Sequence, residues 1–197
     1  MNTLFPVFLK LEKLHSLIVG GGYVAHEKLS AILANAPEAT ITLVAPEVRP
    51  NLLELIHSNP GIRLEKRPFE PGDLEGKDLV FVATNVPELN RHIKEIASER
   101  HLLVNVADTP DLCDFYLSSI VRKGNLKLAI STNGLSPTLA KRLREVLTES
   151  LPDNLETAME QLNAVREYLK GDFAQKVEEL NVLTEGLVKK NAPPDTK

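Results

Sequence analysis

Three consecutive glycines, Gly20 to Gly22, stand between a short apolar run and a helix-patterned segment, and no other feature limits this chain as tightly. Leu17-Ile18-Val19 precedes them, and Val24, Ala25, Leu29, Ile32, Leu33 and Ala36 follow at helical spacing. Strand, tight turn and helix in that order open a dinucleotide-binding βαβ unit. Gly20-x-Gly22-x-x-Ala25 fits the G-x-G-x-x-G/A fingerprint of such a unit. Gly20 is expected to make the turn, and Gly22 to let the backbone approach a pyrophosphate. Ala25, with only a methyl group, lets the helix lie close to the sheet. The pyrophosphate is then expected on the unpaired amides at the helix start, where Tyr23 and Val24 stand. A tight turn that binds nothing is the plainer alternative, and the flanking strand and helix weigh against it. A side chain added at Gly22 is expected to abolish NAD(H) binding and leave the fold intact.

Downstream, strand and helix patterns keep alternating. Ile41–Ala45 reads as a second strand, followed by Pro46-Glu47, and Leu52, Leu53 and Ile56 suggest a short helix ended by Asn59-Pro60-Gly61. Ile62–Arg67 alternates apolar and charged residues, as a strand at or near an edge does. DLVFVAT (78–84) and HLLVNVA (101–107) read as buried parallel strands, with a helix opened by Asn85 and Pro87 between them. Phe5–Leu11 reads as an edge segment leading into the first strand. This alternation predicts a doubly wound, Rossmann-like parallel sheet, in which ligands bind outside the carboxyl ends of the strands. Thr84, Asn85, Asn105 and Asp108 all fall at such ends. Glu47 is the acid nearest the end of the second strand, either a ribose ligand or a solvated loop residue. Arg49 follows it, and NAD is expected over NADP.

After Asp108 the pattern changes. Phe115–Arg122 and Leu126–Ser131 read as a hairpin joined at Lys123-Gly124-Asn125. Ser136 then caps a helix with Pro137 at its first position; Leu139, Leu143, Val146 and Leu147 form its expected buried side. From Leu151 two apolar stripes follow, the first ending at Leu169 and the second running from Phe173 to Leu187, interrupted at Gly171-Asp172, with a frayed tail from Asn191 to Lys197. Three regions are therefore expected: 1–112, a nucleotide-binding domain; 113–150, a hairpin and helix; and 151–197, a C-terminal helical domain. With 197 residues and 43% hydrophobic, the chain has enough apolar surface for one core and a small appendage.

A net charge of −4 gives no global attraction to nucleic acid or anionic membrane. No apolar run approaches the roughly 20 residues that span a bilayer. The N-terminus shows no basic leader or cleavage site, and the cytoplasm is the expected compartment. Cys113, the single cysteine, excludes an intrachain disulfide, and the five histidines are scattered without metal-ligand spacing.

LIVGGGYVAHEK, LVAPE, FVATNVPELN, NVADTPDLCDF and, above all, LKLAISTNGLSPTLAKRLRE resemble the precorrin-2 dehydrogenase family, the N-terminal module of siroheme synthases. The similarity runs from about Leu4 to Leu151, without the family's methyltransferase domain, as in a standalone form. The resemblance implies NAD⁺-dependent oxidation of precorrin-2 to sirohydrochlorin, and in some members insertion of Fe²⁺ to give siroheme. It also implies a homodimer built by the region after the nucleotide-binding core. The family's essential aspartate falls on Asp108, and a serine phosphorylated in some relatives falls on Ser131. Asn85 departs from the aspartate usual after Ala-Thr, and Leu117 from the proline usual before Ser-Ser-Ile.

Read from its spacing alone, Asp108 is better taken as a turn-capping residue before Thr-Pro; with the resemblance it becomes the expected general base. Precorrin-2 bears many carboxylates. Ser131, Thr132 and Asn133, the helix start at Ser136, and Lys141, Arg142 and Arg144 offer hydroxyls, amides and cations to bind them, a solvated helix face being the alternative for the basic residues. Two other functions share parts of this pattern: an NAD(H)-sensing dimer without catalysis, and a sirohydrochlorin metallochelatase without a dehydrogenase step.

Overall fold

The computed structural model describes residues 4–168 and 173–188. The expected break at Gly171-Asp172, the tail from Asn191, and the side chains of Leu169, Phe173 and Leu187 lie outside that description. The chain divides into two units, Met1–Leu117 and Ser118–Lys197.

The first unit is a parallel sheet of β1 (His15–Val19), β2 (Thr40–Val44), β3 (Ile62–Glu65), β4 (Leu79–Val82) and β5 (Leu103–Val106), in the order β3-β2-β1-β4-β5. The three helices are α1 (Tyr23–Asn35), α2 (Pro50–His57) and α3 (Pro87–Glu99). Two apolar clusters form the core. Ile18, Ala25, Leu29, Ile32, Leu43, Leu52 and Phe81 belong to the one carrying α1 and α2. Leu17, Val19, Val80, Val82, Ile93 and Val104 belong to the one carrying α3. Strand parity explains the split, since neighbours along β1 and β4 point to opposite faces. Strand order reverses between β1 and β4, and parallel sheets of this kind bind ligands at that reversal.

The expected edge segment at Phe5–Leu11 is not a strand. β1 already pairs with β2 on one side and β4 on the other, so it has no edge to offer. Phe5, Val7, Phe8 and Leu9 are exposed instead, and a short 3₁₀ turn at Leu11–Lys13 leads into β1. β5, in contrast, is an edge strand. Its outer side is covered by the segment that follows it: Asp114 N donates to Val104 O (2.7 Å), and Cys113 Sγ donates to Val106 O (3.1 Å) while accepting from Val106 N (3.2 Å). The lone thiol thus satisfies backbone groups of the edge strand. Phe115 stays with the sheet, edge-on to Phe81 with ring centroids 5.4 Å apart, so the hairpin begins later than its apolar pattern suggests.

The second unit contains β6 (Ser119–Lys123) and β7 (Leu126–Ile130), an antiparallel hairpin turning at Gly124-Asn125, with α4 (Pro137–Ser150), α5 (Leu155–Tyr168) and α6 (Phe173–Val188). Ser136 caps α4 as expected, accepting from Leu139 N at 3.2 Å, with Pro137 at the first position. Glu156 accepts from Asn125 and Lys123 donates to Asp153 (2.6 Å), tying the start of α5 to the hairpin. The expected burial on α4 differs: Leu139, Leu143 and Val146 are 51%, 40% and 57% exposed, and Ala140 is the buried residue of the helix. No described helix is long and apolar enough to cross a membrane.

Candidate nucleotide-binding site

The glycine turn sits where the strand order reverses. Gly20 continues the pairing of β1, donating to Val44 O at 2.9 Å, and then takes φ +125°, a conformation that only glycine adopts readily. A Cβ there would strike the Ala83 carbonyl, with its carbon 2.7 Å away, so β1 and the end of β4 approach in the absence of a side chain. Gly21 is packed as hard. A Cβ on it would lie against the Glu47 carbonyl, 2.9 Å from its carbon and 3.0 Å from Ala45 Cβ. Its own carbonyl accepts from Arg49 N at 3.0 Å, which latches the loop after β2 over the turn.

Gly22 is different. It is the N-cap of α1 with φ −87°, and nothing lies within 4 Å of the place a Cβ would take. No side chain caps α1, so the amides of its first turn lack acceptors among the described residues. Tyr23 is exposed, Val24 half-buried against the core, and Ala25 fully buried. A bare, positively polarised helix start beside an open glycine fits a phosphate group. Glu47 and Arg49 are both exposed on the loop after β2.

At the other strand ends the side chains divide into engaged and open. Thr84 Oγ1 donates to Asn90 Oδ1 (2.5 Å) and accepts from Val86 N (3.2 Å), and Asn90 Nδ2 returns to Thr84 O. This ring of bonds starts α3. Asn85 is exposed. Asn105 is 5% exposed; its Oδ1 accepts from Lys28 Nζ at 2.5 Å and its Nδ2 donates to Phe115 O at 2.8 Å. Asp108, just past β5, is exposed and held at φ +54°, an uncommon backbone state for a non-glycine residue. Among the described residues nothing hydrogen-bonds its carboxylate. Because the sheet is parallel, the glycine turn after β1 and Asp108 after β5 share its carboxyl edge. Two strand spacings separate them, about 10 Å.

Lys28 is the residue that motif reading passed over. Burial pulls its ammonium below the ordinary lysine value, while Cys113, Glu27 and Asp108 pull the other way. The signal was available: Ala25, Lys28, Leu29 and Ile32 stand at i, i+3, i+4 and i+7, which puts a lysine on an apolar stripe.

In the second unit, Ser131 Oγ and Thr132 Oγ1 accept from the amides of Asn133 and Ser136, both at 3.2 Å, and Asn133 has φ +55°. Arg142 pairs with Glu145 at 2.7 Å and holds that carboxyl below its ordinary value. Lys141 is exposed. Among the described residues no group of three His, Cys, Asp or Glu side chains is arranged to hold a metal ion.

Residues 7–119 match a family model described as "Putative NAD(P)-binding", and residues 123–150 one described as "Sirohaem biosynthesis protein central". The chain belongs to the NAD(P)-binding family of the siroheme-synthase N-terminal module. Siroheme synthase of Thioalkalivibrio sulfidiphilus is 39% identical over 148 residues, 75% of this chain and 30% of that protein. Siroheme synthase of Vesicomyosocius okutanii is 34% identical over 175 residues, 89% of this chain and 37% of that protein. The chain therefore spans about a third of the length of these curated relatives. Among solved structures, SirC, a precorrin-2 dehydrogenase, superposes with a TM-score of 0.71 at 27% identity, covering 91% of this chain and 89% of that one. Family membership and the geometry of the glycine turn agree on a nicotinamide dinucleotide as the class of cofactor.

Proposed function

We propose that the chain is an NAD-dependent dehydrogenase that oxidises precorrin-2 to sirohydrochlorin in the cytoplasm. The observation that carries this reading is one parallel-sheet edge bearing both an open glycine–helix junction and an exposed aspartate at φ +54° with no hydrogen-bond partner among the described residues. The extended likeness to SirC supports the choice of substrate. The residues fit the cofactor. Gly22 leaves room for a pyrophosphate, the amides of Tyr23 and Val24 face it, and Glu47 hydrogen-bonds the adenosine ribose, which favours NAD. When bound, the nicotinamide supplies the acceptor for the hydride leaving the macrocycle. Asp108 takes the proton released in the same oxidation, its carboxylate without a hydrogen-bond partner among the described residues. Thr84 and Asn90 hold the β4–α3 loop in shape, and Asn85 and Asn105 border the cofactor. Ser131, Thr132, Asn133, Lys141 and Arg142 bind carboxylate arms of the substrate, and the exposed face of α4 meets a second copy of the chain in a homodimer.

The test is anaerobic turnover of precorrin-2 with NAD⁺, followed by absorbance. Asp108→Asn is expected to lower kcat by about 10²- to 10⁴-fold while NAD⁺ binding, measured by calorimetry, is unchanged. Near-normal turnover in that variant would remove Asp108 from the mechanism, and NAD⁺ binding without any precorrin-2 oxidation by the unaltered protein would favour a sensing dimer. Continuing the assay with Fe²⁺ reads whether sirohydrochlorin is carried on to siroheme.

A further inference from the structure

Among the described residues, Lys28 is a cation without a paired anion. It projects from the apolar stripe of α1 toward β5 and is half-buried. Its bond to Asn105 Oδ1 is to a neutral acceptor, and among the described residues it forms no ion pair. Asn105 cannot turn the other way: its NH₂ is fixed on the Phe115 carbonyl at 2.8 Å, so the oxygen must face the ammonium. An ammonium has three donors, and Asn105 takes one. A partly desolvated charge held by a neutral amide is an unfavourable arrangement unless an anion completes it.

The position says which anion. A pyrophosphate on the glycine turn would lie at the first turn of α1, and Lys28 is five residues further along, about 7–8 Å down the axis. It is tied to β5, the strand that ends two residues before Asp108, on the nicotinamide side of the sheet edge. We propose that Lys28, held by Asn105, binds a carboxylate arm of the tetrapyrrole and so positions the macrocycle beside Asp108. This rests on the dehydrogenase reading above and adds to it a substrate contact on the nucleotide-binding unit. The charged and titratable groups within reach of Lys28 are Glu27 on its own helix, Asp108 and Cys113; none of them pairs with it.

The test uses the full chain with Lys28→Met and Lys28→Arg. Sirohydrochlorin, the product, serves as the equilibrium probe, read by absorbance and fluorescence. Lys28→Met is expected to weaken its binding by about 10- to 100-fold, the range for a hydrogen bond to a charged group. Affinity for NAD⁺ should stay as it was, and KM for precorrin-2 should rise more than kcat falls. Lys28→Arg should restore most of the affinity. The ligand-free Met variant should still unfold cooperatively, with a modestly lower melting temperature, because the change removes a half-buried charge but also leaves the buried Asn105 Oδ1 without its donor. Unchanged sirohydrochlorin binding in Lys28→Met, with the unaltered protein active, overturns the assignment alone. Loss of NAD⁺ affinity in its place moves Lys28 to the dinucleotide phosphates and also overturns it. If the unaltered protein binds NAD⁺ but neither binds sirohydrochlorin nor oxidises precorrin-2, the dehydrogenase reading falls first and this one with it.

Discussion

Two adjacent glycines should respond in opposite ways to the same methyl group. In Gly21→Ala the new Cβ would lie against the Glu47 carbonyl, 2.9 Å from its carbon and 3.0 Å from Ala45 Cβ. These are backbone and short side-chain atoms that cannot swing aside. The loop after β2 must move, and the Arg49 N to Gly21 O bond at 3.0 Å stretches with it. Overpacking of this kind costs about 1–3 kcal/mol, and a lost backbone hydrogen bond adds about 0.5–1.5 kcal/mol. Together they predict a loss of about 2–4 kcal/mol, a fall in Tm of about 5–15 °C for a chain of this size. In Gly22→Ala the Cβ meets nothing within 4 Å and φ is −87°, which alanine adopts freely. Only a weakened N-cap remains, worth about 1 kcal/mol or less. The same methyl group then stands where the pyrophosphate must approach. Thermal melting of both variants with and without NAD⁺, with calorimetry for the affinity, separates them. Gly21→Ala should melt early, whereas Gly22→Ala should melt nearly as the unaltered protein does and show no stabilisation by NAD⁺. A Gly22→Ala protein that binds NAD⁺ normally would refute the placement of the pyrophosphate. A Gly21→Ala protein of full stability would refute the contact with the Glu47 loop.

Thr84→Val should cost about 1–3 kcal/mol by leaving the buried Asn90 Oδ1 without its donor; an unchanged denaturant midpoint would show that the ring of bonds at the start of α3 is dispensable. Asp73, with its side chain 7% exposed, pairs with Arg67 at 2.6 Å, which holds its carboxyl below the ordinary value. A group depressed in this way stabilises the fold above its unfolded pKa of about 3.9 and loses that contribution as pH falls through the folded value. The Tm gap between the unaltered protein and Asp73→Asn should therefore be flat near neutrality and close in acid. With Arg67 a third exposed, the gap should correspond to no more than about 1 kcal/mol. Leu143→Glu on the exposed face of α4 should convert a dimer to a monomer in analytical ultracentrifugation, and an unaltered protein that sediments as a monomer would refute the homodimer.

Several features of the site could be read directly from the chain, and others depended on residues far apart in sequence. The glycine turn, the βαβ alternation and the cap at Ser136-Pro137 were legible because each depends on neighbours within a few positions. The role of Gly21 was not, since its partner, Glu47, lies on the loop after β2. Lys28 and Asn105 are 77 residues apart, and each taken alone reads as an ordinary polar residue. Thr84 and Asn105 were both visible as strand-end residues, but which of their polar atoms the protein itself occupies depended on Asn90 and Phe115. The apolar face of α4 was legible as apolar, yet its periodicity does not say what covers it.

The sequence by itself determined the order of strands and helices and the chemistry available at each strand end, because hydrophobic period and turn residues act locally. Only the tertiary structure decided that β5 is an edge sealed by Cys113 and Asp114, that Gly21 is packed while Gly22 is open, and that a half-buried lysine has no counter-ion among the described residues. Those outcomes depend on how close separate segments come in space. Distances of that kind arise when the whole sheet assembles, and no short window of residues contains them.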